Sequence, residues 1–306
     1  MAHDHEHEEE VDIAKMKEVG SASIDALRYA KSITKPGVKL IEVAEKTEKY
    51  VAEKGFGAAF PINLSIGSDA AHYTPSYLED RVFTENDVVK LDFGAARDGI
   101  LGDCAITTDL SGRHGKMIEA AERALDGAIA MVKDGVRVRD IGREIERIVS
   151  AAGFRPIENL GGHGIESGNL HAGIFVPNCD NGDDSELEEG MVIAIEPFVT
   201  DGRGMVSEGG GCEIYDFRFE ASIRSRDARA LLGEIMEKYP SEPFAVRWLS
   251  NVVGSKFDLY AAIGELVRSG AINPYPVLTE LGGGTVAQAE AELMVQKDGC
   301  DIIAKN

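Results

Sequence analysis

The sequence predicts a mixed α+β fold, organised as one large domain with a helical subdomain embedded in it. Three observations predict it. The first 54 residues hold two stretches of helical apolar spacing, strand-like and helix-like segments then alternate up to residue 219, and a segment that reads almost wholly as helix, 225–270, interrupts the alternation before strand pattern returns at 285–295. No Gly/Ser linker flanks that interruption, so it reads as an insertion within one sheet rather than a separate domain. With 306 residues and 43% hydrophobic content, the chain can bury a sizeable core.

The elements follow in order. "MAHDHEHEEE" (1–10) lacks apolar anchors, so it is expected to be a solvated, disordered arm that could hold a metal only loosely through His3, His5 and His7. Residues 11–34 and 38–54 have helical periodicity and are separated at "TKPG", where Pro36 and Gly37 break the chain between two antiparallel helices. A short extended piece at "AAFPINLSIG" and an apolar hairpin at 88–110 come next, then helices near 113–134 and 138–152 divided by Asp134-Gly135. "GMVIAIEPFVT" (190–200) reads as a strand and "GGGCEIYDFRF" (209–219) as its expected partner. The chain therefore divides into the arm at 1–10, a main domain made of 11–219 and 276–306, and a helical insertion at 220–275.

Composition excludes several classes. No run approaches eighteen apolar residues, and the N-terminal segment lacks the basic-then-apolar order of a signal peptide, so a soluble, cytoplasmic protein without membrane contact is expected. Fifty-three acids against 32 Lys and Arg give a formal charge of -21, which disfavours nucleic-acid binding. Cys104, Cys179, Cys212 and Cys300 are scattered without a C-x-x-C pair, so neither a disulfide framework nor a thiolate zinc site is suggested.

Chemistry first shows itself in "VVKLDFGAARDGILGDCAITTDL", where Asp92 and Asp103 interrupt apolar, β-branched runs. A buried carboxylate without a partner is costly, so such acids are normally held by a base or a metal. An even-length loop near "ARDG" pairs positions whose numbers sum to an odd value, as 92 and 103 do, so both carboxylates face one side. No lysine or arginine is expected at matching parity in the strand interiors to partner them. His163 in "NLGGHGIE", Glu196 in "VIAIEPF" and Glu290 in "VAQAEAELMV" sit in similarly apolar settings. Any one of these alone reads as a turn or edge residue; together, four carboxylates and an imidazole suit two divalent ions sharing bridging acids, the ligand set of a dinuclear hydrolase. H-E-x-x-H, G-x-S-x-G and the phosphate-binding P-loop pattern are absent.

These residues lie within a longer pattern. "FPINLSI", "AAHYTP", "KLDFG", "DCAITT", "GGHGIESGNLHAG", "AIEPF", "PFAVRWL", "YPVL" and "VAQAE" follow one another from about residue 11 to the C-terminus. In that order and spacing the sequence resembles the type II methionine aminopeptidases, in the archaeal form without a long N-terminal extension. The resemblance implies a pita-bread fold with two pseudo-symmetric halves and the site between them. It implies that Asp92 chelates one of two divalent ions (Mn, Fe, Co or Zn), that His163 and Glu196 hold the other, and that Asp103 and Glu290 bridge them, with Glu196 also relaying the proton of the attacking water. His72 and His171 would contact the scissile amide and its oxyanion, and Phe60, Leu170 and Phe198 would line the pocket for the methionine side chain. The implied substrate is the N-terminal methionine of nascent polypeptides with a small second residue, met near the ribosome by a monomer.

The sequence departs from the family pattern at "AQAEAE", where Glu292 adds a further acid on the face of Glu290, and at "GAARDG", which lacks a customary histidine. Two other functions share the fold: a non-catalytic pita-bread binding protein, and a peptidase of the prolidase or aminopeptidase P kind. In those peptidases the two metal-binding glutamates lie close in sequence, whereas here the insertion separates Glu196 from Glu290.

Overall fold

The computed structural model describes residues 12–306, so the expected arm, with His3, His5 and His7, lies outside the described residues. Two helix pairs form the outside of the molecule. Helices α1 (Ile13–Ile33) and α2 (Leu40–Glu53) form the first, and α3 (Gly115–Ile129) and α4 (Val138–Ala151) the second. Asp12 caps α1 by accepting from the Lys15 backbone N–H at 3.1 Å. Among the described residues no helix is long and apolar enough to cross a membrane.

The halves repeat one another closely. Gly37 and Gly55, both left-handed, bracket α2 and are followed by Val38 and Phe56; Gly135 and Gly153 do the same for α4, followed by Val136 and Phe154. The Gly37 N–H donates to the Phe83 carbonyl and Phe83 donates back to Val38, and the Gly135–Leu187 and Leu187–Val136 bonds copy this in the second half. From Phe83 and from Leu187 the chain runs into equivalent strands, Val88–Asp92 and Val192–Ile195. Asp92 and Glu196 thereby occupy equivalent places, a repeat that the scattered identities conceal in the sequence.

Strand alternation puts the two kinds of side chain on opposite faces. In the first half, Val89, Leu91 and Phe93 pack with Leu27, Leu40 and Val43 under α1 and α2, and in the second Ile193, Ile195, Leu293 and Val295 pack under α3 and α4. The acids project from the inner faces. The 88–110 segment is one hairpin in a single register, pairing Val88 with Asp109, Asp92 with Ala105, and Arg97 with Ile100. Its two-residue turn has both Asp98 (φ 54°) and Gly99 (φ 79°) left-handed, as a type I′ hairpin turn requires. Asp103, two residues from the partner of Asp92, therefore shares its face.

One pairing differs from expectation. The 190–200 strand breaks at Glu196-Pro197 into Val192–Ile195, paired with Ala291–Gln296 and Gly161–Glu166, and Phe198–Thr200, paired with Val286–Gln288 and Arg155–Pro156. Residues 209–219 are not its partner: Ile214–Phe217 pairs with Phe244–Ala245 and Ile272–Tyr275. Val206–Glu208 first crosses to Leu278–Glu280, and left-handed Gly211 then redirects the chain. The segment expected as a helical insertion thus carries, besides α5 (Arg226–Lys238) and α6 (Lys256–Ser269), the two outer strands of a small sheet whose middle strand, Ile214–Phe217, precedes it. It has its own core of Leu231, Ile235, Phe244, Leu249 and Leu266, which Tyr215 joins from before residue 220.

Candidate active site

The inner faces of the two halves meet along a seam. Thr107 Oγ1 donates to the Gln288 carbonyl at 2.7 Å and accepts from its N–H at 2.8 Å, the Glu290 N–H donates to Ala105 at 3.2 Å, and the Cys104 thiol donates to the Glu290 carbonyl at 3.2 Å. At this seam Asp92, Asp103, His163, Glu196 and Glu290 line one small cavity of about 60 Å³, together with Phe60, Leu170, His72 and His171. Phe198 lines a second cavity, of about 340 Å³, which shares His72, His163, His171 and Glu196 with the first. A larger cavity of about 960 Å³, beside Met16, Leu101 and Met191, reaches the edge of this chemistry at Glu292 and Gly164 but is not lined by the other four acids or His163.

His163 reaches the acids because glycines flank it. A Cβ on Gly162 would stand 2.0 Å from the Ala194 carbonyl oxygen, and one on Gly164 would stand 2.2 Å from that of Ala172, so only glycine lets these strands close on each other. His163 Nε2 then lies 3.4 Å from Asp103 Oδ2 and 3.8 Å from Glu196 Oε1. Ligand atoms of Asp103, His163 and Glu290 all fall within 4.8 Å of one another. Gln288, which sequence reasoning missed, sends its amide to Glu196 Oε2 at 3.1 Å and to Asp92 Oδ2 at 3.4 Å. Its signal was present, since it sits one strand period before Glu290. Tyr275, also missed, stands edge-on to His72 at 5.5 Å and stacks on His171 at 5.8 Å.

The electrostatics call for a cation. Burial raises the Asp92 carboxyl to about 7, and burial with the neighbouring acids raises Asp103, Glu196 and Glu290 well above the usual carboxylate range. Glu292 accepts from the Asp103 N–H at 3.1 Å and is pushed by burial to about 8. Among the described residues no lysine or arginine pairs with any of these five. Lys90 has the same strand parity as Asp92, contrary to the expectation that no strand-interior base shares its face. Its Nζ, however, donates to the Gly67 carbonyl at 2.8 Å, and burial lowers its pKa to about 7.

Divalent metal ions suit this donor set on three grounds. Asp92 Oδ1, Glu290 Oε2 and Glu292 Oε1 are buried without a partner. Burial and His171 push His163 down to about 3, so its ring is neutral near pH 7. Its Nδ1 lies 3.2 Å from the Gly164 carbonyl and must carry the proton, which turns the Nε2 lone pair toward two carboxylates. A lone pair facing ionised carboxylate oxygens is repulsive unless a cation lies between them, and without one the acids must keep protons.

Outer helix pairs, inner sheets in two repeated halves, and buried acids with one imidazole at the seam define a pita-bread metallohydrolase. The chain belongs to metallopeptidase family M24, whose description matches residues 14–224. It is 44% identical to a methionine aminopeptidase of Archaeoglobus fulgidus over 95% of this chain and 98% of that one, and 41% identical to one of Pyrococcus horikoshii over 95% and 99%. Among solved structures it is similar to a thermophilic Arx1 (TM-score 0.83, 17% identity, 97% of this chain and 91% of that one). It is also similar to a methionine aminopeptidase of Thermotoga maritima (TM-score 0.69, 22% identity, 96% and 97%). At such identities the solved structures speak to the fold alone.

Proposed function

We propose that this chain is a metal-dependent methionine aminopeptidase that removes the initiator methionine from polypeptides with a small second residue. The observation that carries the reading is the complete set of Asp92, Asp103, His163, Glu196 and Glu290 around one cavity, in a chain whose archaeal relatives bear that activity over nearly their full length. A binding protein that had lost catalysis would have no use for such a set, and the gap between Glu196 and Glu290 argues against the prolidase arrangement. The residues would hold two ions, from Mn, Fe, Co or Zn, in a monomeric cytoplasmic enzyme working near the ribosome.

Bound there, divalent ions lower the pKa of water toward neutrality and can hold the free α-amino group. The side chains do the rest. Glu196 is aimed by the Gln288 amide, so its carboxylate can take the proton of the attacking water and return it to the leaving nitrogen. His72 is lowered to about 4 by burial and by His171, so it is neutral near pH 7. Its Nδ1 faces the Pro276 carbonyl at 3.2 Å and carries the proton, which leaves Nε2 an acceptor suited to a substrate amide N–H. His171, lowered by burial, is the remaining ring able to donate to the oxyanion. Phe60 and Leu170 offer apolar contact to the methionine side chain, and Phe198 extends the wall into the adjoining cavity.

The test compares hydrolysis of Met-Ala-Ser and Ala-Pro peptides by the same preparation, before and after chelation, with metal content followed by elemental analysis. Met-Ala-Ser should be cleaved and Ala-Pro spared, with activity lost on chelation and regained on adding metal. Full activity after confirmed metal loss, or preference for Ala-Pro, rejects the reading.

A further inference from the structure

The "PFAVRWL" segment plays no part in the chemistry above, yet it holds a nearly inaccessible arginine. We infer that Arg247, held by Glu48, is a positioning residue that fixes the imidazole of His72 toward the acid-lined cavity. The inference rests on the reading of His72 as a substrate contact.

His72 needs an external support. Its φ is 66°, in the left-handed region that a residue with a Cβ enters at a cost, and such conformations persist only where the surroundings over-determine them. Ala71, just before it, is fixed by pairing with Leu278. After it, the Tyr73 carbonyl accepts from Leu64 N at 2.6 Å, and Thr74 Oγ1 donates to the Ile62 carbonyl at 2.7 Å. Arg247 closes this frame from the inserted segment. Its Nη1 donates to Thr74 Oγ1 at 2.7 Å and to the Pro75 carbonyl at 3.3 Å, while its Nη2 pairs with Glu48 Oε1.

Glu48 ties the frame to α2. The same carboxylate accepts from Trp248 Nε1 at 2.9 Å and from Ile62 N at 3.3 Å, so it binds the segment beside Arg247 and the residue that Thr74 also grips. The Arg247 side chain is 2% exposed, so its interactions are hardly screened by solvent. One planar guanidinium serves Thr74, Pro75 and Glu48 at fixed angles, which a lysine ammonium on a flexible stem cannot reproduce. On the other flank, the Pro276 carbonyl fixes the ring at Nδ1. His72 is thus held between two points near the ends of the inserted segment's sheet, and a shift at either would turn Nε2 away from the cavity. Reaction rates respond steeply to such misplacement.

The experiment uses the metal-loaded full chain and the Met-Ala-Ser peptide. Arg247→Lys keeps the charge beside Glu48 but loses the fork; Arg247→Met combined with Glu48→Gln removes both charges, so that neither is left buried alone. Each variant should keep its metal by elemental analysis, lose roughly 10- to 100-fold in kcat with KM changed by less than about threefold, and shift the His72 ring resonances in NMR spectra. In a His72→Ala background, Arg247→Lys should cost nothing further, because it acts through the missing ring. Rate losses that multiply in that background, or folded variants with unshifted His72 resonances, overturn the inference. If His72→Ala alone keeps the parent rate, the substrate role of His72 falls. The link to Arg247 is then decided by the resonances: a shift in Arg247→Lys sustains it, and no shift overturns it.

Discussion

At the residue scale, what separates the two groups of polar side chains is the neighbour each one lacks. Asp103 and Glu290 have buried oxygens near the His163 lone pair and, among the described residues, no base to neutralise them, which suits the cation-holding role proposed for them. Among the described residues His171 has no carboxylate within hydrogen-bonding reach, and it stacks on Tyr275, so on the proposed reading it adds little to such binding. Glu290→Ala should therefore lower metal occupancy and activity together, since the remaining ligands cannot compete with water for the ions. His171→Ala should keep its metal while kcat falls by roughly 10²- to 10³-fold, the usual cost of one oxyanion donor, with little change in KM. Metal analysis and steady-state kinetics on the same purified variants check both. Metal loss in His171→Ala would make that histidine a ligand, and full activity would remove it from the reaction.

At the scale of the element, the β-structure around His163 is the most demanding piece. Gly162→Ala would drive a methyl into the Ala194 carbonyl and push the Gly161–Glu166 strand away from Val192–Ile195, taking His163 from Glu196. The variant should lose roughly 1–3 kcal/mol by denaturant titration and bind metal more weakly. Unchanged stability together with unchanged metal affinity would show that the strands accommodate the methyl. The helices were legible from apolar spacing, and the 88–110 hairpin from parity and its Asp-Gly turn, because both are local rules. The four acids and the histidine were legible because ionisable groups within apolar runs need partners. Gln288 was marked only by its place one strand period before Glu290, and Tyr275 not at all, since a neutral amide and an aromatic ring raise no such question in a strand. The pairing of residues 209–219 was misjudged for a different reason: neighbours in sequence usually pair, and only the crossing of Val206–Glu208 to Leu278–Glu280 prevents it here. The resemblance implied two similar halves, but the equivalence of Asp92 and Glu196 rests on hydrogen bonds around Gly37 and Gly135 and on a few scattered Gly-Val and Gly-Phe pairs, so it became visible only in three dimensions.

For the whole molecule, the seam makes stability depend on what the acids hold. Without metal, the native state keeps a proton on Asp92 up to about pH 7 and on Glu292 up to about pH 8, while the unfolded chain releases them near their ordinary values around 4. Between those limits the raised acids, Asp103, Glu196 and Glu290 among them, bind more protons in the native state than in the unfolded one; they outnumber His72, His163 and Lys90, whose lowered pKa values act in the opposite sense, so the stability of the metal-free protein should fall as pH rises. Divalent metal reverses the sign, because it binds the deprotonated carboxylates and competes with protons for them. The Tm of metal-free protein should therefore drop by roughly 5–15 °C from pH 5 to pH 8, and the gain on adding metal should grow over the same range. Because the cluster is buried, added salt should leave the slope nearly intact, whereas repulsion from the surface charge of -21 would be screened. Calorimetry on chelated and reloaded samples at several pH values makes the measurement, with Asp92→Asn as the control that should flatten part of the slope. A metal-free Tm that stays level or rises from pH 5 to 8 would mean that the acids are already neutralised by some other group, and the cation-holding role of the seam would have to be abandoned.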